Sequence, residues 1–486
     1  MSITSAFNNA SSGLNVSSRR AELISNNIAN ALTDGFGRRD IHLSSSVLNS
    51  QGGGVRVSNI IRSENTSLTS ARREAEASVS SIAIQSNYLE RLADQLGNPG
   101  EFGALGVQFS QFESSLINAA NDPGNDGRLA EVVSAAGILS NNLNSLSGFL
   151  NDLRKEADAE IAEQVSVVNT SLLQLSELNT EIKERMVSGG SITALQDRQA
   201  LLLDQLNEII PIKVVPRDDA RIAIFTPSGG TLLDGYPTKF DFYEVPAMAH
   251  SMTLSNGALS GLLVNGAIAE ISTGNRLYDG GSLEALFNVR DKLIPQQNDQ
   301  LDALAYDLAL RFQDPSIDPT LASGDPGVFT DATSSVVAVN SLGLAGRIQL
   351  NTNLDTSLGG GAWKLRAGIN SVLPGDIGQN AILRGFQGAM QANISPSVGM
   401  GTSIAMSAAG FAEQFVSSVA TEDATSKEAL THMQAKSVEF KGAELAATGV
   451  DSDVELQNLI EVEAAYAANA RVMSILNELL NRLLEL

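Results

Sequence analysis

Apolar residues at the start of the chain fall at Ile3, Phe7, Ala10, Leu14, Ala21, Ile24, Ile28 and Ala31. The steps alternate between four and three, with Ser17 as the polar exception. Such spacing is an a/d seam held for about four heptads, and it predicts one long helix with a narrow apolar stripe. A second seam stands at the far end: Leu459, Val462, Tyr466, Asn469, Met473, Leu476, Leu480 and Leu483. Here Asn469 is the polar exception. A polar residue in such a seam weakens it but fixes register or partner number. Each helix needs a partner for its stripe, and the simplest partner is the other helix. Charge favours the pairing. Residues 1–39 carry Arg19, Arg20, Arg38 and Arg39 against Glu22 and Asp34, and residues 451–486 carry seven acids against Arg471 and Arg482. Each exposed pair of that kind contributes only ~0–1 kcal/mol.

Between the ends the period changes. Ile82, Leu89, Leu92 and Leu96 predict a helix stopped by Gly97 and Pro99. Further helices are expected over 127–148 and from Leu150 to Met186, the latter along Ile161, Val165, Val168, Leu172, Leu175 and Ile182. Ser191 opens another that Pro211 closes, and 283–312 and 404–447 also read as helical. Past Pro211 the runs Ile222–Phe225, Lys239–Tyr243 and Arg347–Leu350 are short, β-prone and separated by turn residues. The expected fold is mainly α with a β-rich inserted domain, α+β and multidomain. Residues 1–60 with 450–486 form a terminal coiled coil. Residues 61–210, 281–315 and 376–449 form a helical bundle, and 211–280 with 316–375 form the outermost, β-rich unit. No internal repeat or long low-complexity tract is found.

Length and composition fit this organisation. A chain of 486 residues suggests about three domains. It is 43% apolar and only 5% aromatic, so its core is aliphatic. The net charge of −23 opposes binding to nucleic acid or to an anionic membrane. There is no Cys, which excludes disulfides and thiolate chemistry, and the three His (His42, His250, His432) are scattered.

Candidate chemistry is sparse. Neither a phosphate loop, nor a His-Glu-x-x-His zinc motif, nor a nucleophile elbow is present. Gly52-Gly53-Gly54 precedes the strand-like Val55-Arg56-Val57 and reads as a turn or hairpin, not a phosphate cradle. Asp451, Asp453 and Glu455 alternate like a calcium loop, but Leu456 stands where its Gly is required and Val462 at its twelfth position. They read as acids complementing a helix N-terminus. His42 and Ser44 have no partner acid and read as a surface loop. The longest charge-free stretch, Gly385–Ala412, is rich in Gly, Ser and Asn and contains Pro396, so no membrane insertion is expected. The first residues lack the basic start and apolar run of a cleaved secretory signal. No catalytic residue, metal or cofactor is expected.

Two short motifs carry a resemblance. Ser25-Asn26-Asn27-Ile28-Ala29-Asn30, followed by Thr33 and Gly35-Phe36, resembles the N-terminal signature of bacterial flagellar rod, hook and hook-associated proteins. Ser12-Gly13-Leu14-Asn15 fits the same pattern. Leu459-Ile460 and Ala465-Tyr466-Ala467-Ala468-Asn469-Ala470-Arg471-Val472 resemble the paired C-terminal signature. The signature positions are thus Asn26, Asn27, Ile28, Asn30, Gly35, Tyr466, Asn469 and Arg471. Gly52–Val57 through Ile60-Ile61-Arg62, the region 76–210 and Gly280–Asp291 are similar to members that join hook to filament. Phe36, Asp34 and Glu463 depart from those members, which keeps a hook or rod protein as the alternative.

The resemblance implies a structural, non-enzymatic protein. It implies passage unfolded through a type III export apparatus, without a cleaved signal, to an extracellular place in the flagellum at the hook–filament junction. Implied partners are other copies of the chain, the hook protein, a second junction protein on the filament side, and an export chaperone at the C-terminal helix. Ala, Ser and Asn crowd the N-terminal seam, so residues 1–35 and 455–486 are expected to be disordered or loosely paired in a lone chain and to fold into a layer lining the export channel on assembly. Neighbouring copies would then consolidate them.

Overall fold

The structure is a computed structural model that describes residues 3–48, 51–97, 100–101, 103–268, 280–395 and 404–484. Pro99, Pro396 and Glu485 lie outside those residues. The chain opens with helix α1 (Ile3–Ala29) and an antiparallel hairpin of strands β1 (Arg39–Leu48) and β2 (Gln51–Arg62). Four helices follow: α2 (Thr66–Leu96), α3 (Leu105–Asn121), α4 (Asp126–Val187) and α5 (Thr193–Ile209). Seven short strands come next: β3 (Lys213–Pro216), β4 (Ile222–Phe225), β5 (Thr231–Asp234), β6 (Tyr236–Pro237), β7 (Phe240–Asp241), β8 (Leu263–Val264) and β9 (Ala267–Ile268). They form antiparallel sheets ordered β3-β4-β5-β6 and β7-β8-β9. Helix α6 (Gly281–Asn288), a π turn (Val289–Leu293) and helix α7 (Ile294–Arg311) then run on without a break. Strands β10 (Phe329–Asp331) and β11 (Ile348–Leu350) pair with each other, and helices α8 (Lys364–Ala367), α9 (Ala381–Gln391), α10 (Ala408–Thr448) and α11 (Ser452–Leu484) complete the chain.

Helix α4 is the axis of the body. Its 62 residues span about 93 Å at 1.5 Å per residue. Leu129, Leu139, Leu150, Ile161, Leu172 and Ile182 are fully buried along it. The pattern predicts two helices here, but the structure joins them. The single glycine near the break, Gly148, has open space around its Cα, and one Gly in a helix costs only about 1 kcal/mol against Ala. Asn125 caps the helix by accepting from the backbone N–H groups of Gly127 and Arg128. The expected helix over 283–312 contains a π turn directly before Pro295, whose missing N–H and ring disturb the i→i−4 ladder at that point.

Helices α2 and α10 lie antiparallel. Lys427 meets Glu90 at 2.9 Å, and Arg72 binds Glu444 near the other end of the pair. Arg72 also takes both oxygens of Asp204 on α5 at 3.0 Å, which ties three helices at one point. Aromatic packing marks one part of the core, where Phe112, Phe312, Phe329 and Phe386 pack with ring centres 5.0–5.7 Å apart. Residues 211–268 are strand-rich as expected. Residues 316–375 are different: they hold two three-residue strands, three 3-10 turns and the one-turn α8, joined by irregular backbone. The segment is pinned by side chains instead. Asp302 accepts from the Gly343 and Ala345 N–H groups, and Asp318 accepts from Ile369 N at 2.8 Å. Helices α3 and α9 lie outside the elements that the periodicity singled out.

Candidate assembly site at the joined ends of the chain

Helices α1 and α11 pack along each other. Two contacts fix their direction. The Asn27 Nδ2 donates to Glu455 Oε1 at 3.1 Å, across 428 residues of sequence. Gly13 sits against Asn469, where an added Cβ would come within 2.8 Å of the amide. Fourteen residues separate these contacts on both helices, so the pair is antiparallel and in step over about 21 Å. Gly13 lets the helices approach closely at the level of the polar exception in the C-terminal seam.

The seam residues can now be placed. In α1, Ala10, Ser17 and Ile24 are buried, and Ile3, Phe7, Leu14 and Ile28 are half-buried. In α11, Val462 and Leu476 are buried, Leu459, Asn469 and Met473 are half-buried, and Tyr466, Leu480 and Leu483 are exposed. The register sets Ile3 level with Leu479, so Leu480 and Leu483 lie at the far end of the pair. Further large apolar residues of α11 are left uncovered by α1. Leu456, Ile460, Val472, Ile475 and Leu479 are among them, each 43–66% exposed.

Helix α1 has a second face as well, which carries the hairpin. Val55 N donates to Ser12 Oγ at 3.2 Å, and Gly54 (φ +93°) fits beneath that hydroxyl, where a Cβ would meet it at 2.0 Å. Val16, outside the predicted stripe, is buried. At the hairpin's base, Asn27 exchanges two hydrogen bonds with the backbone of Arg39: its Nδ2 donates to Arg39 O at 3.0 Å and its Oδ1 accepts from Arg39 N at 3.1 Å. Asn27 is fully buried and therefore joins three segments at once: α1, β1 and α11.

The other signature residues shape the turn that ends α1. Asn30 Nδ2 donates to Asn26 O, satisfying a carbonyl at the helix end. Asn26 Oδ1 accepts from Arg39 Nη1 at 3.0 Å, and the Arg39 guanidinium lies 4.9 Å from the centre of the Phe36 ring. Gly35 adopts φ +75°, and Leu201 of α5 covers it so closely that a Cβ would overlap. Asp197 of α5 accepts from Gly37 N, Arg39 and Arg62. Arg471 is exposed on α11. Sequence reasoning missed Asp197, the contact of Ser12 with the hairpin and the bond from Asn27 to Glu455, because none of these follows from a periodic stripe. His42 and Ser44 lie in β1, not in a loop.

An enzyme would need convergent, perturbed acids in a cleft of the middle region. The recess there, about 600 Å³, lies between α4 and the β3–β6 sheet. Its charges pair with each other, Arg217 with Asp234 and Arg221 with Asp219, both at 2.7 Å. The Arg221 hydrogen bond holds the Asp219 carboxyl below its usual range. Among the described residues no group of three or more His, Cys, Asp or Glu is placed to hold a metal ion. No described helix is long and apolar enough to cross a membrane.

Comparisons with known proteins fall on these same segments. A family model described as "Flagellar hook-associated protein FlgK helical domain" matches residues 89–327. "Flagellar basal body rod FlgEFG protein C-terminal" matches 443–486, and "Flagella basal body rod protein" matches 7–36. The last two cover most of α11 and α1. Flagellar hook-associated protein 1 of Salmonella typhimurium is 27% identical over 350 residues, 70% of this chain and 61% of that protein. Its Escherichia coli K12 namesake is 25% identical over 335 residues, 67% of this chain and 59% of the relative. The match thus spans about three fifths of the length of these two relatives. With Bacillus subtilis flagellar hook-associated protein 1 the identity is 23% over 94% of this chain and 93% of that one. A solved structure, the flagellar hook junction protein FlgK from Burkholderia pseudomallei, overlaps 55% of this chain and 46% of its own at TM-score 0.43 and 18% identity. From the two terminal motifs, the helical middle and the relatives that share them, the chain belongs to the flagellar rod, hook and hook-associated protein family.

Proposed function

We propose that this chain is a non-enzymatic structural subunit of the bacterial flagellum, placed at the junction between hook and filament. One observation carries the reading: α11 keeps Leu456, Ile460, Val472, Ile475 and Leu479 exposed beside the seam that α1 covers. These residues are a ready surface for neighbouring subunits of a ring. Burying each such Leu or Ile contributes ~1.5–3 kcal/mol, so contacts among copies consolidate a pair that Ala, Ser and Asn hold loosely. Loose pairing means frequent opening, not absence of the closed form: an opening free energy of about 2 kcal/mol still leaves over nine-tenths of the molecules closed. The outer partners are the hook protein on one side and a second junction protein on the filament side. The chain reaches its place by type III export, and the exposed apolar residues of α11 suit a chaperone that takes an amphipathic helix in a groove. The three domain ranges expected from the sequence remain part of this proposal.

The match of both ends to rod-protein models favours a second reading, a hook or rod subunit. Electron microscopy of a deletion strain separates the two. Hooks without filaments, with filament subunits lost to the medium, support the junction; loss of hook or rod supports the alternative. In the same strain, Ile475→Asp with Leu479→Asp, both exposed and outside the seam covered by α1, is expected to abolish chaperone co-elution and filament attachment while the central helices stay folded by circular dichroism. Unchanged motility in that variant counts against the proposed site.

A further inference from the structure

α1, the hairpin and α11 form a terminal unit that the chain joins to the body at residues 63–65 and 449–451. Beside these two passages stands Asp197, in the first turns of α5. Its Oδ1 accepts from Arg62 Nε at 2.9 Å and from Gly37 N at 3.2 Å, and its Oδ2 accepts from Arg39 Nη2 at 3.1 Å. Arg39 and Arg62 are paired residues, the first of β1 and the last of β2. One carboxylate on the body thus grips the base of the hairpin through both strands. Beside it Leu201, itself 39% exposed, lies over Gly35, and Arg38 N donates to Thr448 O at the end of α10 at 3.4 Å.

We infer that Asp197 is a releasable electrostatic latch that sets the angle between the terminal unit and the helical body. Two guanidiniums share this carboxylate, and Glu64 offers Arg62 one further contact at 3.0 Å. Neutralising Asp197 removes the charge attraction across the joint and leaves Arg39 and Arg62 to repel each other within the hairpin. The three side chains are 15–19% exposed, so solvent and salt reach the contact. Neither neighbouring unit depends on it for its own packing. Helix α5 is anchored to the body by buried Leu203, Leu206 and Asn207, and α1 is anchored to α11 by Asn27 and Gly13. Asp197 acts on orientation through Arg39 and Arg62, which makes it a positioning residue.

The absence of cysteine permits a direct test on the full chain. Ser45→Cys in β1 and Ser166→Cys on α4, both exposed, take spin labels whose separation pulsed electron paramagnetic resonance reads. The parent is expected to give one narrow distance distribution at low salt. Asp197→Asn is expected to broaden it and shift its mean by several ångströms, with the thermal melting of the helical body unchanged. Raising salt to about 1 M is expected to move the parent towards the variant and leave the variant where it is. An unchanged distribution in the variant overturns the latch, as does a broad one in the parent at low salt. Broadening accompanied by a lower melting point of the body also overturns it, since Asp197 would then be supporting α5 itself.

Discussion

The densest information in the terminal unit lies in one amide. Asn27 supplies a donor and an acceptor to the backbone of Arg39 and a donor to Glu455, and no other side chain offers that set at that length. Removing it leaves a backbone N–H, a backbone C=O and a nearly buried carboxylate without partners, each at a cost of about 1–3 kcal/mol if water cannot reach it. Asn27→Ala is therefore expected to raise amide exchange in 39–62 and in the first turns of α11 by tenfold or more, with α4 unaffected. Asn27→Asp should be worse, because it sets a second carboxylate beside Glu455, and its penalty should ease as pH falls towards the carboxylate range. Equal exchange in parent and Ala variant would show that the amide is not what holds the three segments.

Among the elements, what was legible depended on whether a rule of period applied. The α1 and α11 seams repeat every seven residues, and the structure brings these two helices together. The hairpin was only half legible, because Gly52–Gly54 signalled the turn while the alternation Asp40-Ile41-His42-Leu43-Ser44 is short and runs into Ser44-Ser45-Ser46. The polar contacts that orient it, Ser12 to Val55 and Asp197 to Arg62, are unreadable from spacing because they join residues with no local relation. Residues 316–375 misled for a related reason: Arg347–Leu350 does supply strand β11, but side-chain bonds to Asp302, Asp318 and Asp331 organise the rest of the segment in place of a larger sheet. The long helix hid behind Gly148. Gly137 and Gly148 both have open space around Cα, so Gly137→Ala with Gly148→Ala is expected to stabilise the body by about 1–2 kcal/mol in urea unfolding. A lower midpoint would mean that one of these glycines serves close packing.

At the scale of the whole molecule, charge sets the response to pH. Burial pushes the carboxyls of Glu76, Glu160, Asp302, Asp307 and Glu422 above their ordinary values. A raised value means that the folded state holds the proton more tightly than the unfolded one. Their contribution is then fully present below the unfolded value, about 4, and is lost as pH rises through the folded value. Asp219 and Asp355 are held down, by Arg221 and by Ser357, and give up their contribution only at still lower pH. As pH falls from neutral towards about 4 the first group gains while the second keeps its contribution, and acidification also relieves a net charge of −23. The unfolding temperature of the body is expected to rise over that interval by about 2 °C or more, measured by circular dichroism at fixed ionic strength. A steady fall would show that ion pairs such as Arg72 with Glu444 outweigh the buried acids. The bond from Asn27 to Glu455 has one more consequence, for the order of events. Because it closes a loop of 428 residues, any process that delivers the polypeptide one end first keeps α1 single until almost everything else has arrived. The stem is thus a finishing step in time as well as an edge in space, and a truncation before residue 452 would strand a complete body with an orphaned first helix.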